Sequence, residues 1–133
     1  MSPMSTNYET VIDSYAWIEY FKGSSSGEKA KGFIEKGSAA TSSISLAELQ
    51  EKYLREKWDS FDIDIKFITT KTTLVQLDRK ISILAGQINF QNKKRRKDWG
   101  MADSIILATA RIASAKVVTS DSHFKDIPET IMI

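Results

Sequence analysis

The chain has no cysteine, a single histidine (His123) and only two prolines in 133 residues. Without thiols it forms neither a disulfide nor a thiolate metal site, and one histidine cannot build a multi-histidine zinc centre. A bound cation would then be held by oxygen ligands, which favours hard ions, magnesium or manganese before calcium. Nowhere do about eighteen apolar residues follow one another, and no basic segment leads into an apolar run near Met1. A cytoplasmic setting with no membrane partner is expected. A strong charge of one sign is also missing: 19 basic against 17 acidic residues leave a net +2, too little to argue for nucleic acid by itself.

What is present, 41% hydrophobic and 27% charged residues, suits one globular domain with a sizeable core. Residues 1–8 are polar and broken by Pro3, and read as a loose leader to a single domain over residues 9–133. Glu9 to Ile12 reads as a strand that ends at Asp13-Ser14 and leads into an aromatic-rich helix from Tyr15 to Phe21. A turn-like gap, Gly23 to Gly27, precedes a helix from Glu28 to Lys36 closed by Gly37. Ser38 to Ile44 is a small-residue strand candidate. Ser45-Leu46-Ala47-Glu48 has the spacing of a capping box opening the next helix, with Leu46, Leu49 and Tyr53 on its packed side.

Asp59 to Ile68 suits a helix better than a strand, and Thr72 to Leu77 is β-prone. Asp78 then caps a helix reaching about Phe90, with Ile81, Leu84, Ala85 and Ile88 on one face. Gln91 to Gly100 is polar and carries the densest charge run, so it reads as neither strand nor buried helix. An apolar helix to Ala115, a strand Lys116 to Thr119 and a short last strand Ile131 to Ile133 complete the chain. Strands alternating with helices predict an α/β layer fold with a mostly parallel sheet of four or five strands.

The helix after Trp99 is apolar nearly all round except for Asp103 in its first turn, and an unpaired charge at the edge of a buried face is costly to desolvate. In a parallel sheet the strand C-termini share one edge, where open α/β sheets bind ligands. Asp13 and Asp121 follow predicted strands, and Asp103 and Glu48 lie in first turns of helices that can start at the same edge. Each acid alone is explained as a cap. Gathered together, the carboxylates repel and raise one another's pKa unless a divalent cation neutralises them.

Val11-Ile12-Asp13-Ser14, Ser45-Leu46-Ala47-Glu48-Leu49, Met101-Ala102-Asp103-Ser104-Ile105-Ile106-Leu107-Ala108-Thr109-Ala110 and Val117-Val118-Thr119-Ser120-Asp121-Ser122-His123-Phe124, in that order, resemble the motifs of a PIN domain. Length and layout are similar to those of VapC ribonuclease toxins of toxin–antitoxin pairs. The resemblance implies a three-layer α/β/α fold and a magnesium- or manganese-dependent endoribonuclease that leaves a 5′-phosphate and a 3′-hydroxyl. It places Asp13, Glu48, Asp103 and Asp121 as the metal-holding catalytic acids, Asp121 being the least uniform position, and Ser14 and Thr119 as the hydroxyl residues beside the first and fourth. Asp98 and Asp126 are nearby acids that could supplement the fourth, or simply be solvated in loops. A cognate antitoxin and a homodimer are the implied protein partners.

Lys93-Lys94-Arg95-Arg96-Lys97, in a loop approaching Asp103, could hold RNA phosphate with Trp99 stacking on a base. The same loop could face an acidic partner, with Trp99 as a core plug. Tyr15, Trp17, Ile18, Tyr20 and Phe21 exceed what one helix face buries, which suits either a homodimer or antitoxin surface or core packing. His123 reads as a structural or loop residue. The alternatives to a nuclease are a catalytically silent PIN-like module binding RNA or protein, and a phosphatase using Asp13; Tyr15, where an Asp-x-Asp pair would need its second acid, counts against the latter.

Overall fold

The computed structural model describes residues 8–133, so the expected leader, apart from Tyr8, lies outside the described residues. In chain order the elements are β1 (Thr10–Ile12), α1 (Ser14–Lys22), α2 (Ser25–Glu35), β2 (Ala39–Ser42), α3 (Ser43–Glu56), α4 (Phe61–Lys71), β3 (Thr73–Val75), α5 (Arg79–Arg95), α6 (Met101–Ile112), β4 (Lys116–Thr119) and β5 (Thr130–Met132). The five strands are all parallel in the order β3-β2-β1-β4-β5. Successive strands run outward from β1 to β3, after which the chain returns across the sheet to place β4 on the other side of β1. The order therefore reverses between β1 and β4, and in open α/β sheets such a reversal forms a ligand crevice at the strand C-termini.

Side chains alternate across the central strands and divide the core into two. Val11 and Val117 face α5 and α6, packing with Ile81, Ala85, Ile88 and the buried run of α6, whereas Ile12 and Val118 face α1 to α4 with Trp17, Ile34, Leu49 and Ile68. This is the α/β/α sandwich. Small residues in β2 let helices approach it closely, and the hydroxyl of Thr41 is satisfied within the core by Trp17 Nε1 at 3.2 Å and Thr72 Oγ1 at 2.8 Å. Among the described residues no helix is long and apolar enough to cross a membrane.

Three local expectations change. The second helix starts at Ser25 rather than Glu28, capped by Ser24, whose Oγ accepts from Gly27 N–H at 3.0 Å. The helix from Asp78 continues past Phe90 to Arg95. Lys and Arg have good helix propensity, and three of them in the last turn complement the helix dipole, so a polar, exposed stretch needs no apolar face to stay helical. The expected capping box at Ser45 is absent. Ser42 caps α3, accepting from Ile44 N–H at 3.2 Å, and Ser45 is buried within the first turn.

The aromatic residues of α1 pack mainly inward. Trp17 is fully buried, and Tyr20, Phe21 and the Phe67 ring of α4 cluster around it at centroid separations of 5.6–6.3 Å. Only Tyr15 is truly exposed, at 51%. Helices α1 and α2 meet at Gly27, where a Cβ would press into the Glu19 carbonyl and lie 3.0 Å from Tyr20 Cα. Backbone cannot yield as a side chain can. Gly27→Ala is expected to cost about 2 kcal/mol, read as a fall of roughly 6 °C in Tm by calorimetry.

Candidate active site

Asp13 caps α1 from the end of β1 and is 2% exposed. Its Oδ1 accepts from Ser14 N–H at 2.8 Å, and its Oδ2 accepts from Thr119 Oγ at 2.7 Å, a bond that spans the sheet's reversal from β1 to β4. The Thr119 hydroxyl oxygen also accepts from Asp121 N–H at 2.9 Å, so one side chain orders both acids. Ser14 plays the matching part on the other side, its hydroxyl donating to Glu48 Oε1 at 3.0 Å. Glu48 thus turns inward to α1. Freed from the capping box, its carboxylate is available to the crevice.

Asp103, in the first turn of α6, accepts from Gly100 N–H at 3.1 Å and meets His123 Nδ1 at 3.2 Å. His123 sits in a single 3-10 turn, Ser122–Phe124, capped by Asp121, whose Oδ1 accepts from His123 N–H at 3.0 Å. The other ring nitrogen, Nε2, lies 3.0 Å from Asp98 Oδ2. Two buried aromatic rings hold these loops together: Trp99 stacks obliquely on Phe124 with centroids 5.1 Å apart, and Trp99 Nε1 donates to Ser104 Oγ at 2.7 Å. Trp99 is fully buried, which rules out stacking on a base from this position. The structure makes it the plug that pins the segment before α6.

Burial raises the Asp13 carboxyl to about 7, against the favourable bond from Thr119, and the fields of Glu48 and Asp103 add to the rise. Glu48 is raised by burial and by Asp103, and Asp103 by burial and by Asp121, each opposed by its own hydrogen bonds. Burial alone would depress His123, but the bond to Asp103 and the fields of Asp121, Asp103 and Asp98 outweigh it and raise its pKa. Among the described residues no lysine or arginine forms an ion pair with Asp13, Glu48, Asp103 or Asp121. One ligand atom each from Asp103, Asp121 and His123 fall within 4.8 Å of one another. Dense carboxylate oxygen without lysine or arginine to neutralise it is a donor set that fits a hard divalent cation.

All four acids and both hydroxyl residues expected from the sequence converge at this edge. Two further side chains join them. Tyr15, grouped by the sequence with either a protein-contact surface or the core, stands beside the acids, and burial together with Asp121, Asp13, Glu48 and Asp103 raises its phenol. His123 was legible only as one residue after Asp121 and Ser122; its ring reaches Asp103 through a turn that local pattern does not encode. Lys93, Lys94 and Arg95 end α5 instead of lying in a loop, followed by Arg96 and Lys97. Lys93, Lys94, Arg95 and Lys97 are exposed, and Arg96 pairs with Asp98 at 3.4 Å. Asp126 is exposed, while Asp98 reaches the site through His123.

A family model described as PIN domain matches residues 10–130. Among solved structures, the chain is similar to a toxin–antitoxin complex from Klebsiella pneumoniae (19% identity, 93% of this chain and 97% of that chain covered, TM-score 0.73). It is also similar to VapBC2 from Rickettsia felis bound to a promoter DNA fragment (21%, 93% and 96%, TM-score 0.72). A third likeness is to VapC20 of Mycobacterium tuberculosis, described as a toxin that cleaves the sarcin–ricin loop (14%, 90% and 95%, TM-score 0.72). At these identities the likeness shows the fold. No curated protein matches the chain significantly.

The raised carboxyls carry a stability consequence of definite sign. A group that binds its proton more tightly folded than unfolded stabilises the fold below its unfolded pKa and loses that contribution as pH rises through its folded pKa. Asp13, raised from 3.8 to about 7, acts in this way, and the raised Glu48, Asp103 and His123 act in the same direction. In chelator-containing buffer, Tm is expected to fall by roughly 10 °C between pH 5 and pH 8, the effect of a few kcal/mol. Asp13→Asn should flatten that profile. Differential scanning calorimetry across the range measures both.

Proposed function

The chain belongs to the PIN domain family, and from that premise we propose that it is a divalent-cation-dependent endoribonuclease, the toxin of a VapBC-type toxin–antitoxin pair. The observation that carries the reading is the convergence of Asp13, Glu48, Asp103 and Asp121 from separate segments on the crevice where the sheet order reverses. Helix capping accounts for single acids and gives no reason for them to gather. The toxin–antitoxin proteins that share the fold support the biological setting, as does coverage of nearly the whole length on both sides. A cognate antitoxin, a homodimeric state and a cytoplasmic site of action belong to the same reading.

In this proposal Asp13, Asp103 and Asp121, with Glu48 directly or through water, hold magnesium or manganese. A bound cation supplies neutralisation of phosphate charge and a water of lowered pKa for in-line attack on the phosphodiester. The chain's own contribution is to keep the acids preorganised. Thr119 and Ser14 hold the carboxylate oxygens through bonds of 2.7–3.0 Å, so little reorganisation is needed when a substrate arrives. Lys93, Lys94, Arg95 and Lys97 present exposed positive charge that attracts the phosphate backbone. With Trp99 buried, the aromatic ring exposed beside the acids is that of Tyr15, available to stack on a base.

Purified protein incubated with RNA and magnesium or manganese should cleave it, and chelation should stop cleavage. Asp103→Asn is expected to lower the rate by at least about a hundredfold, since the carboxylate it removes holds the cation that would stabilise the transition state by several kcal/mol. Glu48→Gln should cut the rate and, in chelator-containing buffer near pH 8, raise Tm by a few degrees, because Ser42 rather than Glu48 caps the helix and the charge removed is a partly buried one repelled by Asp103. Cleavage that survives chelation or the Asp103 change would sink the reading. Replacing Lys94 and Arg95 together with glutamine should weaken RNA binding and reduce the slope of log affinity against log salt by about one for each phosphate no longer neutralised, measured by fluorescence anisotropy.

A further inference from the structure

Beside the carboxylates of the site stands the chain's only imidazole, His123, within 4.8 Å of ligand atoms of Asp103 and Asp121. Nδ1 of His123 lies 3.2 Å from Asp103 Oδ2 and 3.9 Å from Asp121 Oδ2, while Nε2 on the far side of the ring lies 3.0 Å from Asp98 Oδ2. One nitrogen of the ring thus points at two acids of the site, and the other at an acid outside it. Donors around a six-coordinate ion at bond lengths near 2.1 Å stand about 3 Å apart when adjacent and about 4 Å when opposite, and the separations of Nδ1 from Asp103 Oδ2 (3.2 Å) and Asp121 Oδ2 (3.9 Å) fall within that range.

Asp98 supplies the second element. A ligating histidine nearly always donates its other N–H to a carboxylate or carbonyl, which sets the tautomer and aims the coordinating nitrogen. With Nε2–H donated to Asp98, the Nδ1 lone pair is directed into the space shared with Asp103 and Asp121. In the cation-free protein a proton on Nδ1, hydrogen-bonded to Asp103 Oδ2 at 3.2 Å, occupies that space, and a bound cation takes the proton's place while Nε2–H stays on Asp98. The ring is also held in place without any cation: its backbone N–H donates to Asp121, the adjacent Phe124 is buried against Trp99, and Asp98 is itself steadied by Arg96 at 3.4 Å.

Resting on the cation-dependent reading of this site, we propose that His123 is a direct nitrogen ligand of the cation and that Asp98 is the residue positioning it. A donor set of carboxylate oxygens and one imidazole discriminates among ions that an all-oxygen set treats alike. Magnesium prefers oxygen and retains its waters, whereas imidazole suits the transition metals. The site therefore favours manganese over magnesium, a selectivity that the four acids alone do not supply.

Pulsed electron paramagnetic resonance on the untagged full chain loaded with manganese tests this, because a coordinated imidazole nitrogen imprints nitrogen-14 modulation and His123 is its only source. The wild type should show that modulation. His123→Gln should lose it, bind manganese at least about tenfold more weakly and show a narrowed preference for manganese over magnesium in competition. Asp98→Asn should keep the modulation while weakening manganese binding. Manganese bound by the wild type without nitrogen modulation overturns the assignment of His123 but leaves the acidic cation site standing. If the folded wild type binds no manganese at all, both the inference and the cation-dependent reading fall. The wild-type spectrum decides the question even if a variant does not fold, since it requires no substitution.

Discussion

A carboxylate buried almost completely at the end of the central strand is the constraint on which the site depends. Asp13 is held in place locally by the backbone of Ser14 and, across the sheet, by the hydroxyl of Thr119, and the second partner exists because of where the chain reverses. Had β4 followed β3 outward along the sheet, Thr119 would stand strands away from Asp13. Returning it to the other side of β1 places the hydroxyl across the crevice and brings Asp121 with it. The topology, the hydrogen bond and the position of the fourth acid are one arrangement.

Packing carries the remaining acids to the same place. The Trp99 and Phe124 rings are core residues by burial, yet their contact joins the segment before α6 to the turn after β4. Asp98 and Asp103 lie on one side of that contact, Asp121 and His123 on the other. Apolar burial supplies the stability that lets four like charges gather, an arrangement unfavourable in itself. The site is thus locally frustrated and globally supported: burial first, and the neighbouring carboxylates second, raise Asp13, Glu48 and Asp103.

Much of this was legible in the chain. The alternation of elements, the strand at Lys116–Thr119 and the all-round apolar helix bearing Asp103 follow from periods of 2 and 3.6 residues and from caps, which are local properties. The acids at Asp13, Asp103 and Asp121 were legible from their place at element ends, whereas Glu48, read in a first turn, stands in the second turn of α3 because the helix starts at Ser43. The boundaries of α2 and α5 were not legible, because an exposed polar helix has no apolar stripe to announce it. Ser45 shows the same limit from the other side: its spacing from Glu48 satisfies a capping box, but Ser42 took the cap, and Glu48 turned to Ser14 across the crevice.

Sequence by itself determined the fold class and the family and marked which acids to look for, because residue type, order and spacing are written along the chain. Tertiary structure alone decided that Trp99 is a plug, that the exposed ring beside the acids is Tyr15, and that His123 lies between Asp98 and Asp103. Those facts depend on contacts between segments far apart in sequence. Whether an aromatic ring meets a solvent-filled crevice or another aromatic ring is settled by the chain's path across the sheet, and no local pattern encodes that path.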